Sequence, residues 1–89
     1  VKAFNTIFDG VFDAPASQTA SVPVFVAGND EASVEQVSDL ARAAGFAVEN
    51  AGKLDGARLI EPLGMLNIRF GYGLGRGTAI APAWTTVGA

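Results

Sequence analysis

The residues of this chain that could do chemistry are few, and neither histidine nor cysteine is among them. That composition removes Ser-His-Asp and Cys-His catalysis, the usual zinc sites, disulfides and thiolate chemistry together. Any reaction must therefore need little proton transfer, or borrow groups from outside the chain. Arg58 and Glu61 stand three apart at helical spacing. The ordinary reading is a helix ion pair worth about 0.2–0.5 kcal/mol, and the other is a contact to a cofactor phosphate. Lys2 lies in the first apolar segment and reads as a solvated edge residue. The tract Gly71-Tyr72-Gly73-Leu74-Gly75-Arg76-Gly77 has the glycine density of a phosphate cradle. It lacks a preceding strand, a following helix and the Lys-Ser/Thr of a P-loop. Asn5-Thr6 closes the first apolar segment, and both side chains can bond nearby backbone there.

The elements that must position these residues are legible from periodicity and punctuation. Val1–Asn5 is a short apolar strand candidate. Phe8, Val11 and Phe12 have the spacing of a single helical turn that Pro15 stops, and Ala14–Ser21 is a small-residue loop. Val22–Ala27 is a continuous β-branched and aromatic run, which predicts a strand covered on both faces. Asp30 is a good N-cap, with Glu31 in the first turn. Val34, Val37, Leu40, Ala41 and Ala44 form one helical stripe, while the like charges Glu35 and Asp39 are four apart. Gly45 and Phe46 predict a left-handed stop with a hydrophobic residue after it. Phe46–Ala51 is a third strand candidate, turned by Gly52. Asp55 can cap a last helix whose Leu59, Leu63, Leu66 and Phe70 follow 4-3-4 spacing, with Ile60 and Met65 beside them. Pro62 should bend that helix or mark a late start, and the glycine tract ends it. From Thr78 onward the chain is apolar but aperiodic.

The expected fold is α/β: a small three-stranded mixed sheet in the order strand-loop-strand-helix-strand-helix. Strands two and three are joined by a helix and so run parallel. Strand one is expected antiparallel to strand two. The chain has 89 residues, enough for one small domain that buries about 60–65% of its unfolded surface. A net charge of −3 disfavours nucleic acid as a partner. No run of about 18 apolar residues predicts a membrane span. The chain opens at Val1, without methionine and inside an apolar segment, which reads as a segment of a longer protein.

Four stretches occur in one order: Phe4-Asn5-Thr6-Ile7 at a strand end, Ala27-Gly28-Asn29-Asp30 at another, Ala51-Gly52-Lys53-Leu54-Asp55-Gly56-Ala57-Arg58-Leu59-Ile60-Glu61, and Asn67-Ile68-Arg69-Phe70-Gly71. Together they resemble the C-terminal part of the NADPH-dependent deazaflavin-coenzyme reductase family. Cytosolic domains of some membrane metalloreductases are similar in the same places. The resemblance spans nearly the whole chain and is weakest over 7–21 and after Thr78. The family's GxGxxG fingerprint is absent here.

The resemblance implies that residues 1–89 are the C-terminal α/β segment of a Rossmann-like NADP-binding domain. The parent would transfer a hydride between NADP(H) and a deazaflavin- or flavin-type carrier. Asn5, Thr6 and Ile7 would border the stacked rings, and no residue of this chain would be catalytic. Cofactors carry such chemistry while the protein orients them, so the lack of histidine and cysteine is no obstacle. The resemblance further implies a cytoplasmic homodimer, an N-terminal half as partner, and an isolated segment that is inactive and binds no cofactor. Two alternatives stand beside it. One is the nucleotide-domain end of a β-hydroxyacid dehydrogenase-like enzyme, for which neither Lys2 nor Lys53 is suitably placed. The other is a non-enzymatic oligomerisation module.

Overall fold

The run Val24-Phe25-Val26 builds the centre of the molecule. The structure, a computed structural model, describes residues 1–87, with the side chains of Asp9 and Ala16 excepted. Strand β1 (Pro23–Val26) is buried at every position, as its unbroken apolar character predicts. It pairs in parallel with β2 (Ala47–Asn50), in a register that sets Val24 opposite Val48 and Phe25 opposite Glu49. Pro23 is tolerated because it opens the strand. The 13-residue helix α3 (Glu31–Ala43) makes the crossover between the two.

The expected first strand is not formed, so the sheet lacks one of its three expected strands. Val1–Asn5 contributes one antiparallel bridge, in which Lys2 and Ala27 exchange both backbone hydrogen bonds at 2.8 and 3.0 Å. The direction is the expected one, but the pairing ends at once. Phe4 has φ +65°, a left-handed conformation that turns the chain out of line. The sheet is therefore two-stranded, with a bridge at one edge.

Helix α3 behaves as its sequence predicts at both ends. Asp30 accepts from the Ala32 N–H, and the Ser33 hydroxyl donates to its other oxygen at 2.6 Å. At the far end Gly45 has φ +94°. The Phe46 N–H bonds the Ala41 carbonyl and the Gly45 N–H bonds that of Arg42, the paired pattern of a Schellman stop. Arg42 lies between Asp39 (3.1 Å) and Glu35 (3.6 Å), so it offsets their mutual repulsion. The buried line is Val34, Ser38 and Ala41 with Val37 beside it, whereas Leu40 is 64% exposed. Leu40 belongs to the flank of the stripe, about a third of a turn away from its centre.

The segment 7–21 holds two single turns, α1 (Asp9–Phe12) and α2 (Ala16–Thr19). The first is the turn that Phe8, Val11 and Phe12 predict; the second replaces part of the expected loop. The buried Thr19 hydroxyl donates to the Gly45 carbonyl at 2.8 Å, tying α2 to the end of α3. A run of tilted ring contacts, Phe4 to Phe12 to Phe46, joins the N-terminal segment to the core under α3.

The last helix begins in a 3-10 turn over Leu54–Gly56 and continues as α4 (Ala57–Ile68). Asp55 does not cap it. The Asn29 side chain, 25 residues upstream, instead accepts from the Leu54 N–H at 3.0 Å. Pro62 is carried within α4 without ending it. The chain then passes into a π-helical turn, Arg69–Gly73, so Gly71 lies inside the helical run. The line that packs inward is Ile60, Gly64, Asn67 and Gly71. Leu59 and Leu66, on the expected stripe, are 75% and 46% exposed. Small residues let α4 approach its neighbours backbone-first, and the leucines are left on its flank.

Two clusters result on opposite faces of β1. Val24 and Val26 join Val11, Val34, Ala41 and Phe46 beneath α3, while Phe25 and Ala27 meet Ile60 of α4. The aperiodic tail is docked in part, with the Trp84 ring edge-on to Phe25 at 5.7 Å.

Candidate functional site

The left-handed Phe4 delivers Asn5, Thr6 and Ile7 onto helix α4. Two residues of α4, Gly64 and Asn67, meet that segment, and Glu61, one turn earlier, meets the chain upstream of Phe4. Glu61 forms an ion pair with Lys2. A Cβ on Gly64 would lie 2.7 Å from the Asn5 carbonyl oxygen, so only glycine permits this approach. The buried Asn67 side-chain amide donates to the Thr6 carbonyl at 2.9 Å.

Beside this contact lies a cavity of about 290 Å³. Asn5, Thr6 and Ile7 form one wall; Gly64, Asn67 and Ile68 of α4 form another, and Phe8, Tyr72 and Thr78 close it. Phe8 and Tyr72 meet edge to face at 5.4 Å. Among the described side chains the lining holds no carboxylate, lysine or arginine. It can shape and orient a flat ring, but apart from the Tyr72 phenol it offers no proton donor or acceptor of catalytic strength. Thr6 is 2% exposed, and its hydroxyl has no hydrogen-bond partner in the structure. An unsatisfied buried hydroxyl costs about 1–3 kcal/mol, which marks this position as unusual.

All three sequence-predicted site residues thus come together on one wall. Asn5 is exposed, and among the described residues its side chain makes no hydrogen bond, so it does not serve as a self-bonded strand-end turn. Ile7 is half-buried and also packs against the core.

The remaining candidates resolve differently. Lys2 stands at the sheet edge, partly exposed as expected, and pairs there with Glu61; Arg58 makes no ion pair among the described residues. The glycine tract offers no ring of free amides. The N–H groups of Leu74, Arg76 and Gly77 are spent on the carbonyls of Arg69, Phe70 and Gly71. The Arg76 guanidinium lies 5.2 Å over the Phe70 ring. Among the described residues no group of three His, Cys, Asp or Glu side chains could hold a metal ion, and no helix is long and apolar enough to cross a membrane.

A second, larger groove of about 520 Å³ lies between the Phe25 face of the sheet and the flank of α4, lined by Ile60, Leu63, Leu66 and Trp84. Among the described residues the charged group whose proton affinity is displaced, Asp30, lines neither cavity. The Ser33 hydroxyl, and then the Ala32 N–H, hold the Asp30 carboxyl below the usual range.

Gly64, Asn67, Phe8 and Tyr72 are not among the residues that the sequence proposes for this pocket. A signal for two of them exists. Gly64, Asn67 and Gly71 recur with Ile60 at 4-3-4 spacing, and small or polar residues on one line of an apolar helix mark a close approach. Comparison with family models, with curated proteins and with solved structures gave no match to this chain.

Proposed function

We propose that this chain is the C-terminal α/β segment of a cytoplasmic, Rossmann-like NADP(H)-dependent oxidoreductase. In this reading it supplies one wall of the pocket where a hydride passes between nicotinamide and a deazaflavin- or flavin-type carrier. The observation that carries the reading is the gathering of Asn5, Thr6 and Ile7 along a cavity with aromatic edges and, among the described side chains, no strong acid or base. Those are the residues that the family resemblance sets beside the stacked rings. Hydride transfer asks the protein for orientation, not for proton transfer.

The test has two arms. The natural full-length protein is expected to oxidise NADPH with a flavin or deazaflavin as acceptor. The 89-residue chain alone is expected not to bind NADPH, because the pyrophosphate would rest on the glycine turn of the absent half. Titration calorimetry giving a low-micromolar dissociation constant for this chain would sink that division of labour.

The chain also offers a surface for self-association. Leu59, Leu66 and Trp84 are 75%, 46% and 68% exposed and line the groove beside the flank of α4. Burying each such side chain would contribute roughly 1.5–3 kcal/mol, and a twofold dimer is the default arrangement. This face equally suits a purely structural module. Light scattering at tens of micromolar decides it: a single mass near 9.1 kDa would defeat association. The β-hydroxyacid dehydrogenase alternative finds no support, since Lys2 is engaged by Glu61 and Lys53 lies before the last helix.

A further inference from the structure

We propose that Asn67 is the positioning residue of the Asn5–Ile7 wall, acting through the Thr6 carbonyl. The inference rests on reading that wall as the ring-facing side of a hydride-transfer pocket.

Four observations carry it. Phe4 holds φ +65°, a conformation that a bulky side chain rarely adopts, so something must hold it there. The residues after it touch α4 at two points, Gly64 against the Asn5 carbonyl and Asn67 on the Thr6 carbonyl. Of these only Asn67 makes a directed bond, and both partners are buried, with Asn67 6% and Thr6 2% exposed. Asn67 also lines the cavity that Thr6 borders. A buried amide-to-carbonyl bond fixes both the height and the rotation of the Thr6 peptide. The buried Thr6 side chain, whose hydroxyl has no partner among the described residues, is carried on that peptide. The Lys2–Glu61 ion pair holds the same segment upstream of Phe4, but it is partly exposed and screened by solvent. It anchors the segment without setting the turn.

Asn67 therefore does not react. It decides where Thr6 and Ile7 stand relative to a ring in the cavity. Asn67→Leu keeps the volume and removes the donor; Asn67→Asp keeps the shape and replaces the donor by an acceptor facing the carbonyl.

Nuclear magnetic resonance on this chain, without cofactor, gives the first test. A positive φ brings the Phe4 amide and α hydrogens close, so their cross-peak should be strong in the native chain. It should weaken in Asn67→Leu, with the Thr6 and Ile7 amide resonances moving while those of α3 stay. An unchanged cross-peak and unchanged Thr6 and Ile7 resonances overturn the proposal. Should Asn67→Leu fail to fold, Asn67→Asp is read in the same way.

The second test uses the natural full-length protein with NADPH and a flavin. Asn67→Leu should lower kcat by about tenfold or more, as misplacement of reacting groups does. KM for NADPH should stay within about twofold, because most of that binding lies elsewhere. Lys2→Met should leave both within about twofold. Equal losses in Lys2→Met and Asn67→Leu would reduce Asn67 to a merely structural residue. If the native protein oxidises no NADPH, the oxidoreductase reading falls, and the cross-peak alone decides the role of Asn67.

Discussion

Strand β1 is covered by α3 on one face and by α4 on the other, and the two faces are built differently. On the α3 face, Val24 and Val26 are fully buried among Val11, Val34, Ala41 and Phe46. The helix there is capped by its own neighbours, Asp30 at the start and Gly45 at the end. On the α4 face, Phe25 and Ala27 meet a single buried aliphatic residue, Ile60. Partly buried Ala51, Ala57 and Leu63 pack around it, and farther along α4 Gly64 and Asn67 meet the backbone of Asn5 and Thr6, with Leu59 and Leu66 turned aside. The first face is closed by burial of large side chains. The second is closed by close approach and one buried hydrogen bond, and the candidate site lies beside it.

The largest effect expected from this contrast is between Val26→Ala and Leu59→Ala. Removing two methyl groups at a position with no exposure should cost about 2–3 kcal/mol. Trimming Leu59, 75% exposed, should change stability by no more than about 0.5 kcal/mol at low protein concentration. Urea denaturation of the two variants makes the comparison. Equal costs would mean that the flank of α4 is covered.

Gly64→Ala probes the second face directly. The added Cβ would sit 2.7 Å from the Asn5 carbonyl oxygen, a backbone atom that cannot swing away. A destabilisation of about 1–3 kcal/mol should follow, with resonance shifts concentrated at Asn5–Ile7. A melting curve identical to that of the native chain would show that α4 can retreat without loss.

Gly45→Val tests the end of α3. With φ +94° at this position, a β-branched side chain should cost on the order of 1 kcal/mol or more. An unchanged denaturation midpoint would place the helix stop elsewhere.

The smallest effect belongs to Asp30. Its carboxyl is held below the usual range by the Ser33 hydroxyl and the Ala32 N–H, so its folded pKa lies below its unfolded one. Its stabilising contribution is therefore full above the unfolded pKa and is lost as pH falls through the folded one. The native chain should be more stable than Asp30→Ala at neutral pH. The gap should narrow from the ordinary aspartate range, near 3.8, downward. A gap that stays constant to pH 2.5 would rule out the carboxylate as its source.

Legibility divides along the same line as the two faces. The caps of α3, the burial of β1 and the single turn at α1 follow from neighbours a few residues apart, and the parallel direction of β1 and β2 follows from the helix that joins them. Misreadings arise where a distant partner competes. Asp55 is the local candidate to cap the last helix, but the Leu54 N–H is taken by Asn29. Glu61 has Arg58 three residues away, yet its partner is Lys2, 59 positions distant. The leucine stripe of α4 has the better hydrophobic spacing, yet Gly64 and Asn67 face inward. Asn5, Thr6 and Ile7 are proposed for the site only through a resemblance, and the α4 half of their cavity leaves no more than the line of small and polar residues at Gly64, Asn67 and Gly71.

Composition and local spacing thus settle much of this chain: an α/β fold, a central apolar strand, a well-capped crossover helix, and no histidine or cysteine chemistry. These depend on propensities, periodicity and hydrogen bonds that close within one turn. Tertiary structure alone decides that the first apolar segment stops at a single bridge, that α4 docks by its small residues, and that Thr6 is buried with its hydroxyl unpaired. Each of those is a choice between competing partners far apart in the chain. It is made by which pair of surfaces can approach most closely, and a glycine or an asparagine shows its value only when the opposing backbone has arrived.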